Sequence, residues 1–257
     1  MIEPIQTLNG KIYFVSDLHL GIPDRVTSLE REKRFVGWLN DMAKDAQVLF
    51  LLGDLFDFWY EYEQVVPRGF VRVLGKLAEL SDRGLPIFFF TGNHDQWMTD
   101  YFEEELGIRV FHYPEKVMIA GKKFLVGHGD GLGPGDHGYK FLKKLFRGKF
   151  PRWLFSRLHP NLGIWIGKKW SRDNRIISGE DQSEFLGEEK EWLIQYSRNY
   201  LKTEQVDYFI FGHRHIVLNY PLNNESSYIN LGDWIKFNSY AVFDGKNIEI
   251  KYYSKES

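Results

Sequence analysis

The stretch IYFVSDLHLG, residues 12–21, decides the fold of this chain. Its first half is a run of Ile, Tyr, Phe and Val, which is typical of a strand buried on both faces. Its second half places Asp17 and His19 in a turn directly after that strand. Ligands of open α/β sheets gather outside the carboxyl ends of the strands. The stretch therefore predicts an α/β fold with a functional site at that edge.

Four further segments repeat this arrangement of an apolar run, a glycine and a polar side chain that can bind metal. They are VLFLLGD at 48–54, PIFFFTGNHD at 86–95, KFLVGHGD at 123–130 and DYFIFGHRH at 207–215. Glycine lets the backbone turn sharply and approach an ion closely. We therefore expect five strand-end loops to converge on one point, although they span about 200 positions of the chain.

The side chains in these loops are of the types that hold two metal ions. Zn²⁺, Mn²⁺ and Fe accept imidazole and carboxylate ligands, and a carboxylate can bridge two ions. Two ions ~3.5–4 Å apart can orient a phosphate and absorb charge on the attacking and leaving oxygens. The seven candidate ligands are Asp17, His19, Asp54, Asn93, His128, His213 and His215. They predict direct attack on phosphorus.

Asp54 is the expected bridge between the two ions. Asp17 and His19 are two residues apart on one turn and can bind the first ion from the same side, with His215 as its further ligand. If the chain is extended at 213–215, the side chains of His213 and His215 point in opposite directions. The set expected for the second ion is Asp54, Asn93, His128 and His213.

The five motifs resemble the pattern of the calcineurin-like metallophosphoesterase superfamily, which is DxH, GDxxD, GN(H/D), GH and GHxH. The resemblance extends from Lys11 to about Tyr252. It implies a four-layer αββα sandwich, in which two mixed sheets are flanked by helices. It also implies two divalent metal ions per chain, and we expect Mn²⁺, with Zn²⁺ or Fe as alternatives. By position, His94 matches the histidine that contacts the leaving group or the transferred phosphoryl.

A catalytic role for His94 also makes chemical sense. A leaving oxygen needs a proton or a positive charge beside it, and an imidazolium steadied by a carboxylate supplies either near neutral pH. The resemblance gives Asp57 as that carboxylate, and Asp95 is the alternative partner. The competing interpretation is that His94 and Asp57 only support the metal loops.

Length and composition agree with one main domain, residues 1–257, that carries an insert. The chain is 43% hydrophobic and no linker rich in Pro, Gly and Ser divides it. The absence of cysteine excludes disulfides, thiolate metal sites and cysteine nucleophiles. We see no N-terminal export signal and no apolar stretch near ~18 residues, which favours a cytoplasmic location.

Other patterns predict the scaffold around the loops. Helices are predicted at 28–44, with Ser28 as a possible N-cap, at 69–80 and at 181–201. The C-terminal runs SYINL, SYAVF and NIEIKYY predict strands of the second sheet.

A basic, apolar segment is the second informative feature of the sequence. Residues 140–175 contain eleven Lys or Arg and one acid, so this segment carries +10 while the rest of the chain carries −12. The same segment is rich in Phe, Trp, Leu and Ile. This composition predicts a helical cap, inserted at about 132–178, that touches a membrane surface or holds an anionic lipid-like ligand. Its start just after the His128 loop lets it close over the metal site.

The composition of this segment also fits two alternative roles. An amphipathic helical hairpin that packs on its own domain has the same apolar spacing. A basic and aromatic surface also suits nucleic acid, but a stacking groove needs fewer bulky aliphatic residues, so we expect no nucleic-acid partner. The sequence leaves the oligomeric state undetermined.

The insert resembles the helical cap of the UDP-2,3-diacylglucosamine pyrophosphatases, the lipid A pathway branch of the superfamily. The resemblance implies hydrolysis at the α-phosphorus to UMP and 2,3-diacylglucosamine 1-phosphate by an enzyme peripheral to the inner face of the cytoplasmic membrane. It implies these substrate-binding residues: Trp59, Asn93, His94, Asp136, Tyr139, Ser171, Asn174, Arg175 and His213.

One position departs from the best-known members of that branch. They have arginine directly after the metal-binding asparagine, whereas this chain reads GNHD with His94. Histidine can donate a proton where arginine only stabilises charge. The alternatives are a metallophosphoesterase for another phosphodiester, nucleotide or phosphoprotein, and a binding protein in which the metals are structural.

Overall fold

Two mixed sheets form the centre of the molecule. The computed structural model describes residues 2–134, 140, 148–178, 184–185 and 187–254, with the side chains of 149 and 173–178 excepted. The first sheet contains β1 (Lys11–Val15), β2 (Ala46–Leu51), β3 (Ile87–Phe90), β4 (Arg109–Phe111), β10 (Ser239–Phe243) and β11 (Ile248–Tyr252). The second contains β5 (Glu115–Ile119), β6 (Lys122–Val126), β7 (Tyr208–Phe211), β8 (Val217–Pro221) and β9 (Ser227–Leu231).

The strand order brings the five predicted loops to one edge. The first sheet has the order β11-β10-β1-β2-β3-β4 and the second the order β5-β6-β7-β9-β8. Strands β1, β2 and β3 are parallel neighbours, and so are β6 and β7. These are the five strands predicted to precede the polar loops. Parallel neighbours end at the same edge of a sheet, so the topology supplies the convergence that the sequence predicted.

Helices cover the outer face of each sheet. Helices α1 (Arg25–Met42), α2 (Val71–Asp82) and α3 (Tyr101–Leu106) lie on the first sheet, and α6 (Trp192–Leu201) lies on the second. Along β1, Tyr13 and Val15 face the helices while Ile12 and Phe14 face the other sheet, as strand alternation requires. The predicted four-layer sandwich of two mixed sheets is confirmed.

The apolar core between the sheets is largely aromatic. The ring of Phe14 lies 5.0 Å from that of Phe50 within the first sheet and 5.9 Å from that of Phe124 in the second. Offset aromatic pairs at these distances add stabilisation beyond the area that they bury. Aromatic contacts thus hold together the strands of the two sheets, β1 and β2 on one side and β6 on the other, that lead into the site loops.

Three details of the predicted scaffold are wrong. The first helix is capped by Asp24, whose Oδ1 accepts from the backbone N–H groups of Val26 and Thr27, while Ser28 Oγ accepts from the N–H of Gly21. Helix α6 begins at Trp192, much later than predicted. Strands β10 and β11 belong to the first sheet, because β10 pairs antiparallel with β1.

Two helices lie within the predicted cap. They are α4 (Lys149–Ser156) and α5 (Pro160–Ser178). Phe155, Ile164 and Trp170 from these helices pack against a cluster formed by Phe58, Tyr60 and Trp97. The limits of the cap stay a prediction, because 135–139 and 141–147 lie outside the described residues. None of the described helices is both long enough and apolar enough to cross a membrane.

Candidate metal centre

The five strand-end loops place their side chains around a common point with an unusual backbone. Five candidate ligands adopt positive φ angles between 45° and 69°, and these are Asp17, His19, Asp54, His213 and His215. Left-handed conformations in non-glycine residues cost energy and cluster at functional sites, where the surrounding structure enforces them. The backbone at 213 and 215 is left-handed and not extended. The alternation of side chains along an extended chain, which the sequence analysis assumed, therefore does not explain why His213 and His215 point to different groups.

Asp17, His19 and His215 form the first group of potential ligands. The Nε2 atoms of His19 and His215 lie 3.2 Å apart. Oδ1 of Asp17 lies 3.3 Å from Nε2 of His215 and 3.7 Å from Nε2 of His19. Ligand atoms ~2.0–2.2 Å from one tetrahedral ion would be separated by about this much.

Asp54, His128 and His213 form the second group. Nε2 of His128 lies 3.1 Å from Oδ2 of Asp54 and 3.1 Å from Oδ1 of Asn93. The rings of His128 and His213 have centroids 5.1 Å apart. The structure therefore brings together the four side chains expected around a second ion.

Asp54 lies between the two groups. Its Oδ2 is 3.1 Å from Nε2 of His128 and 3.7 Å from Nε2 of His19. Its Oδ1 accepts a hydrogen bond from the backbone N–H of His94, at 2.9 Å. This position suits the bridging role that the sequence predicts for Asp54.

Three supporting contacts orient the ligands. Nδ1 of His128 lies 2.8 Å from the carbonyl oxygen of Leu52, which turns Nε2 toward the site. Nδ1 of His215 lies 3.4 Å from Oδ2 of Asp233. Asp95 accepts hydrogen bonds from the N–H groups of Gly92 and Leu55, so it ties the β2 and β3 loops together. Sequence reasoning missed Asp233, although its Gly-Asp pair after an apolar strand repeats the signal of the other loops.

The close grouping of charges changes the acidity of the ligands. Burial favours neutral imidazole, yet the charge of Asp54 raises the pKa of His128 to about 10, and Asp17 raises that of His215 to about 10. Burial, together with the charge of His128, lowers the pKa of His213 to about 3. Metal ions therefore compete with protons for these imidazole nitrogens, which makes metal binding pH-dependent.

The donor set fits a dinuclear centre. It contains imidazole, carboxylate and amide groups, which suit Mn²⁺, Zn²⁺ or Fe. Oδ1 of Asp17 is fully buried and, among the described residues, faces the imidazole nitrogens of His19 and His215 without a well-formed hydrogen bond, so a cation between these groups would satisfy it. A Cβ at Gly92 would overlap the carboxylate of Asp54, and one at Gly212 would overlap that of Asp17. Glycine is therefore required where backbone passes close behind the ligands.

His94 lies within ligand distance of His19 and Asp54, and contacts on its far side fix its ring. Its Nδ1 lies 2.9 Å from the carbonyl oxygen of Asp57 and 3.0 Å from Oγ of Ser171 on α5. Ser171 Oγ donates to Oδ2 of Asp57, at 2.9 Å. Because a carbonyl oxygen only accepts, Nδ1 carries the proton and Nε2 is left for the site. The contact with Asp57 is therefore made by its backbone carbonyl, while the nearest carboxylate oxygen of Asp57 lies 3.8 Å from Nδ1 and Asp95 is engaged by backbone N–H groups.

The remaining predicted substrate contacts have different outcomes. Trp59 is fully buried in the core under the first sheet and stacks on Phe56, so it has no surface to offer a substrate and this prediction is not supported. Asp136 and Tyr139 lie outside the described residues. Asn174 and Arg175 lie on α5, but their side chains are outside the described part.

Comparison with known proteins agrees with this geometry. A family model described as calcineurin-like phosphoesterase matches residues 10–217. A Porphyromonas gingivalis protein named UDP-2,3-diacylglucosamine hydrolase is 39% identical, covering 95% of this chain and 98% of that protein. A Histophilus somni protein of the same name is 29% identical, covering 87% and 92%.

Solved structures give more distant matches. The structure described as GAP50, the anchor in the inner membrane complex of Plasmodium, aligns with a TM-score of 0.47 and 13% identity, covering 97% of this chain and 86% of that one. A match at this level supports no conclusion about function. On the family model and the near-full-length relative, the chain belongs to the calcineurin-like phosphoesterase family.

Proposed function

We propose that this protein hydrolyses UDP-2,3-diacylglucosamine at the α-phosphorus and releases UMP and 2,3-diacylglucosamine 1-phosphate. The observation that carries the proposal is the 39% identity to a hydrolase named for this substrate, which spans nearly the whole of both chains. The buried cluster of histidine and carboxylate groups supplies the chemistry that such a reaction needs.

Two divalent ions, with Mn²⁺ preferred, belong in the cluster. Asp17, His19, Asp54 and His215 would hold one ion, and Asp54, Asn93, His128 and His213 the other. When bound, such a pair polarises a phosphate and stabilises charge on its attacking and leaving oxygens. Asp17, His19, Asp54 and His128 are buried, which strengthens their electrostatic effect.

His94 is the catalytic residue of the proposal and acts on the leaving group. Its Nδ1 hydrogen bond to the carbonyl oxygen of Asp57 directs Nε2 toward the centre. Burial lowers the pKa of His94 in the free protein, and the negative diphosphate of a bound substrate would raise it. A protonated His94 then donates to the oxygen of the departing lipid phosphate.

The cap fits the lipid half of the substrate and a membrane surface. Phe150, Trp153, Leu154, Leu162 and Trp165 are exposed, with 47–69% of each residue accessible. The guanidinium of Arg157 lies 5.2 Å from the Trp153 ring, and Nζ of Lys169 lies 5.5 Å from the Trp165 ring. Aromatic and basic groups together suit the interface of an anionic bilayer. We place the protein in the cytoplasm, peripheral on the inner face of the cytoplasmic membrane.

The activity is tested by turnover with Mn²⁺ on UDP-2,3-diacylglucosamine, followed as UMP release. Nucleotides, a phosphopeptide and bis(4-nitrophenyl) phosphate serve as the comparison panel. We expect a kcat/KM at least about a thousandfold higher for the nucleotide lipid, because remote binding energy favours the matching substrate. Comparable turnover of a panel compound would instead support a phosphoesterase of another substrate.

Membrane binding is tested by flotation with vesicles of phosphatidylglycerol and phosphatidylethanolamine. Combined Trp153→Ser and Trp165→Ser substitutions should reduce the bound fraction about tenfold, because two interfacial rings are lost. Tyr252→Ser on the edge strand β11 is the control, since Tyr252 is equally exposed but lies outside the cap. Equal binding of all three proteins would contradict a membrane-facing cap.

A further inference from the structure

The GHRH loop, residues 212–215, carries an arginine between its two candidate ligands. Arg214 stands between His213 and His215, and only 3% of it is exposed. Its Nε donates to Oε2 of Glu191 at 2.9 Å, and its Nη2 donates to Oε1 of the same carboxylate at 2.8 Å. Glu191 is itself completely buried. The two side chains therefore form an interior ion pair joined by two parallel hydrogen bonds, a strong and geometrically specific contact.

Helix α6 holds Arg214 from a second direction as well. Glu191 is the N-cap residue of this helix, and the guanidinium of Arg214 lies 5.0 Å from the ring centroid of Trp192, the next residue along the chain. A guanidinium over an aromatic ring adds a cation–π attraction. Two consecutive residues at the start of α6 thus fix the position of Arg214.

The same helix start lies against the loop that carries His128. An added Cβ at Gly129, the residue after His128, would lie 3.1 Å from Cδ1 of Leu193. The backbone of this loop is therefore packed closely on the first turn of α6. The start of the helix contacts both loops that supply histidines to the second group of ligands, the loop with His128 and the loop with His213.

The backbone on both sides of Arg214 adopts conformations that need support. The φ angle is 69° at His213 and 50° at His215, and left-handed conformations of non-glycine residues persist only where surrounding contacts enforce them. The N–H of His213 donates to Oδ2 of Asp17 at 2.9 Å, which fixes one part of the loop. The bonds from Arg214 to Glu191 fix its middle residue. Both histidines are thereby held in the conformation in which they face their ligand groups.

Stability alone does not account for a buried ion pair at this position. Removing two charges from water costs free energy, and well-packed apolar residues of similar volume are often equally stabilising. A planar guanidinium that is bound at two points has a defined orientation, which apolar contacts do not impose. We propose that Glu191 is a positioning residue of the metal centre and acts through Arg214 on His213 and His215. The inference rests on the two-ion centre of the proposed function.

Calorimetry with Mn²⁺ alone, on the full chain freed of metal, tests this role without turnover. The double substitution Glu191→Leu with Arg214→Met removes both charges, so no unpaired charge remains in the interior. We expect its Mn²⁺ dissociation constant to rise about 10–100-fold, the usual effect of removing a contact that orients metal ligands. Arg214→Lys keeps the charge but loses the two parallel bonds, so its dissociation constant should rise by a smaller factor.

Arg198→Gln is the matched control on the same helix. Arg198 pairs with Glu188 and donates to the carbonyl oxygen of Leu222, so its substitution removes an ion pair of α6 that does not involve Arg214. We expect its Mn²⁺ affinity to equal that of the original protein. The melting temperature of each metal-free variant reports stability separately from ion binding.

The outcomes separate this inference from the proposed function. If the original protein binds no Mn²⁺, the two-ion centre fails and this inference fails with it. If it binds Mn²⁺ and the double variant binds with unchanged affinity, the positioning role is overturned while the centre stands. The role is also overturned if Arg198→Gln weakens binding as much as the double variant does, because the loss then follows any ion pair removed from α6.

A double variant that does not fold leaves the decision to Arg214→Lys. Circular dichroism of the metal-free proteins shows which variants are folded. Unchanged Mn²⁺ affinity of folded Arg214→Lys would then overturn the role, and a raised dissociation constant at an unchanged melting temperature would support it. Failure to hydrolyse the nucleotide lipid would refute the proposed substrate alone, because Mn²⁺ binding is measured without it.

Discussion

The five strand-end loops and the cap helices α4 and α5 meet at His94, but the loops are buried whereas the helices are largely exposed. Ligands such as Asp17 and Asp54 are buried, lie at the ends of parallel strands and are held by backbone hydrogen bonds. Helices α4 and α5 expose large aromatic rings and rest on a small cluster around Phe58. The buried loops carry the candidate ligands, and the exposed rings of the two helices are the surface that we propose meets the lipid and the membrane.

The largest expected effect lies in the loops, where Asp54→Ala should abolish activity and metal binding together. The substitution removes the carboxylate that faces both ligand groups and leaves their histidines to repel one another. We expect kcat to fall by at least about a thousandfold. Elemental analysis should show loss of both ions, and retention of two metals per chain would refute the bridge. Asp82→Ala, an exposed position at the end of α2, is the control.

His94→Ala should separate chemistry from metal binding. The backbone N–H that binds Asp54 is kept, whereas the imidazole is lost. We expect kcat to fall about 10²–10⁴-fold, as for removal of a general acid, with metal content unchanged. If metal is lost in parallel with activity, His94 supports the loops and has no catalytic role of its own.

Ser171→Ala probes the point at which the two regions touch. Ser171 bonds to Asp57 and contacts His94, so it positions the imidazole without belonging to the metal groups. We expect kcat to fall about tenfold with KM nearly unchanged, since a truncated buried hydroxyl leaves a carboxylate partly unsatisfied. Ser171→Thr should restore part of kcat. Ser156→Ala, on α4, removes a hydroxyl that donates to the carbonyl oxygen of Trp153 and should have no effect on kcat. An unchanged kcat for Ser171→Ala would show that cap and site are uncoupled.

The smallest expected effect concerns how tightly the cap packs. An added Cβ at Gly167 on α5 would overlap the ring of Phe58, so Gly167→Ala should lower the free energy of unfolding by about 1–3 kcal/mol. Gly75 in α2 has open space around it, and Gly75→Ala should instead raise that free energy by about 0.5–1 kcal/mol. Denaturant titration measures both. If both substitutions changed the free energy of unfolding equally, α5 would not be packed closely against Phe58.

Much of the site could be predicted because its signals are local. An apolar strand followed by a turn with Asp, Asn or His is visible within about ten residues, and five such segments define the ligand set. Asp233 carries the same signal but was missed, because its Gly-Asp pair stands after a C-terminal strand assigned only to the scaffold. Trp59 was predicted to bind substrate from its position near GDLF, although the side chain turns into the core.

What the sequence alone determined is the set of candidate ligands and the apolar strands that precede them, because turn chemistry and strand patterning are encoded in neighbouring residues. Only the tertiary structure decided that β10 and β11 join the first sheet, that Ser171 reaches Asp57 across 114 positions, and that Glu191 pairs with Arg214. These features arise from strand pairing and packing between distant segments. Such contacts depend on the shape of the assembled core and leave no pattern in any one stretch of the chain.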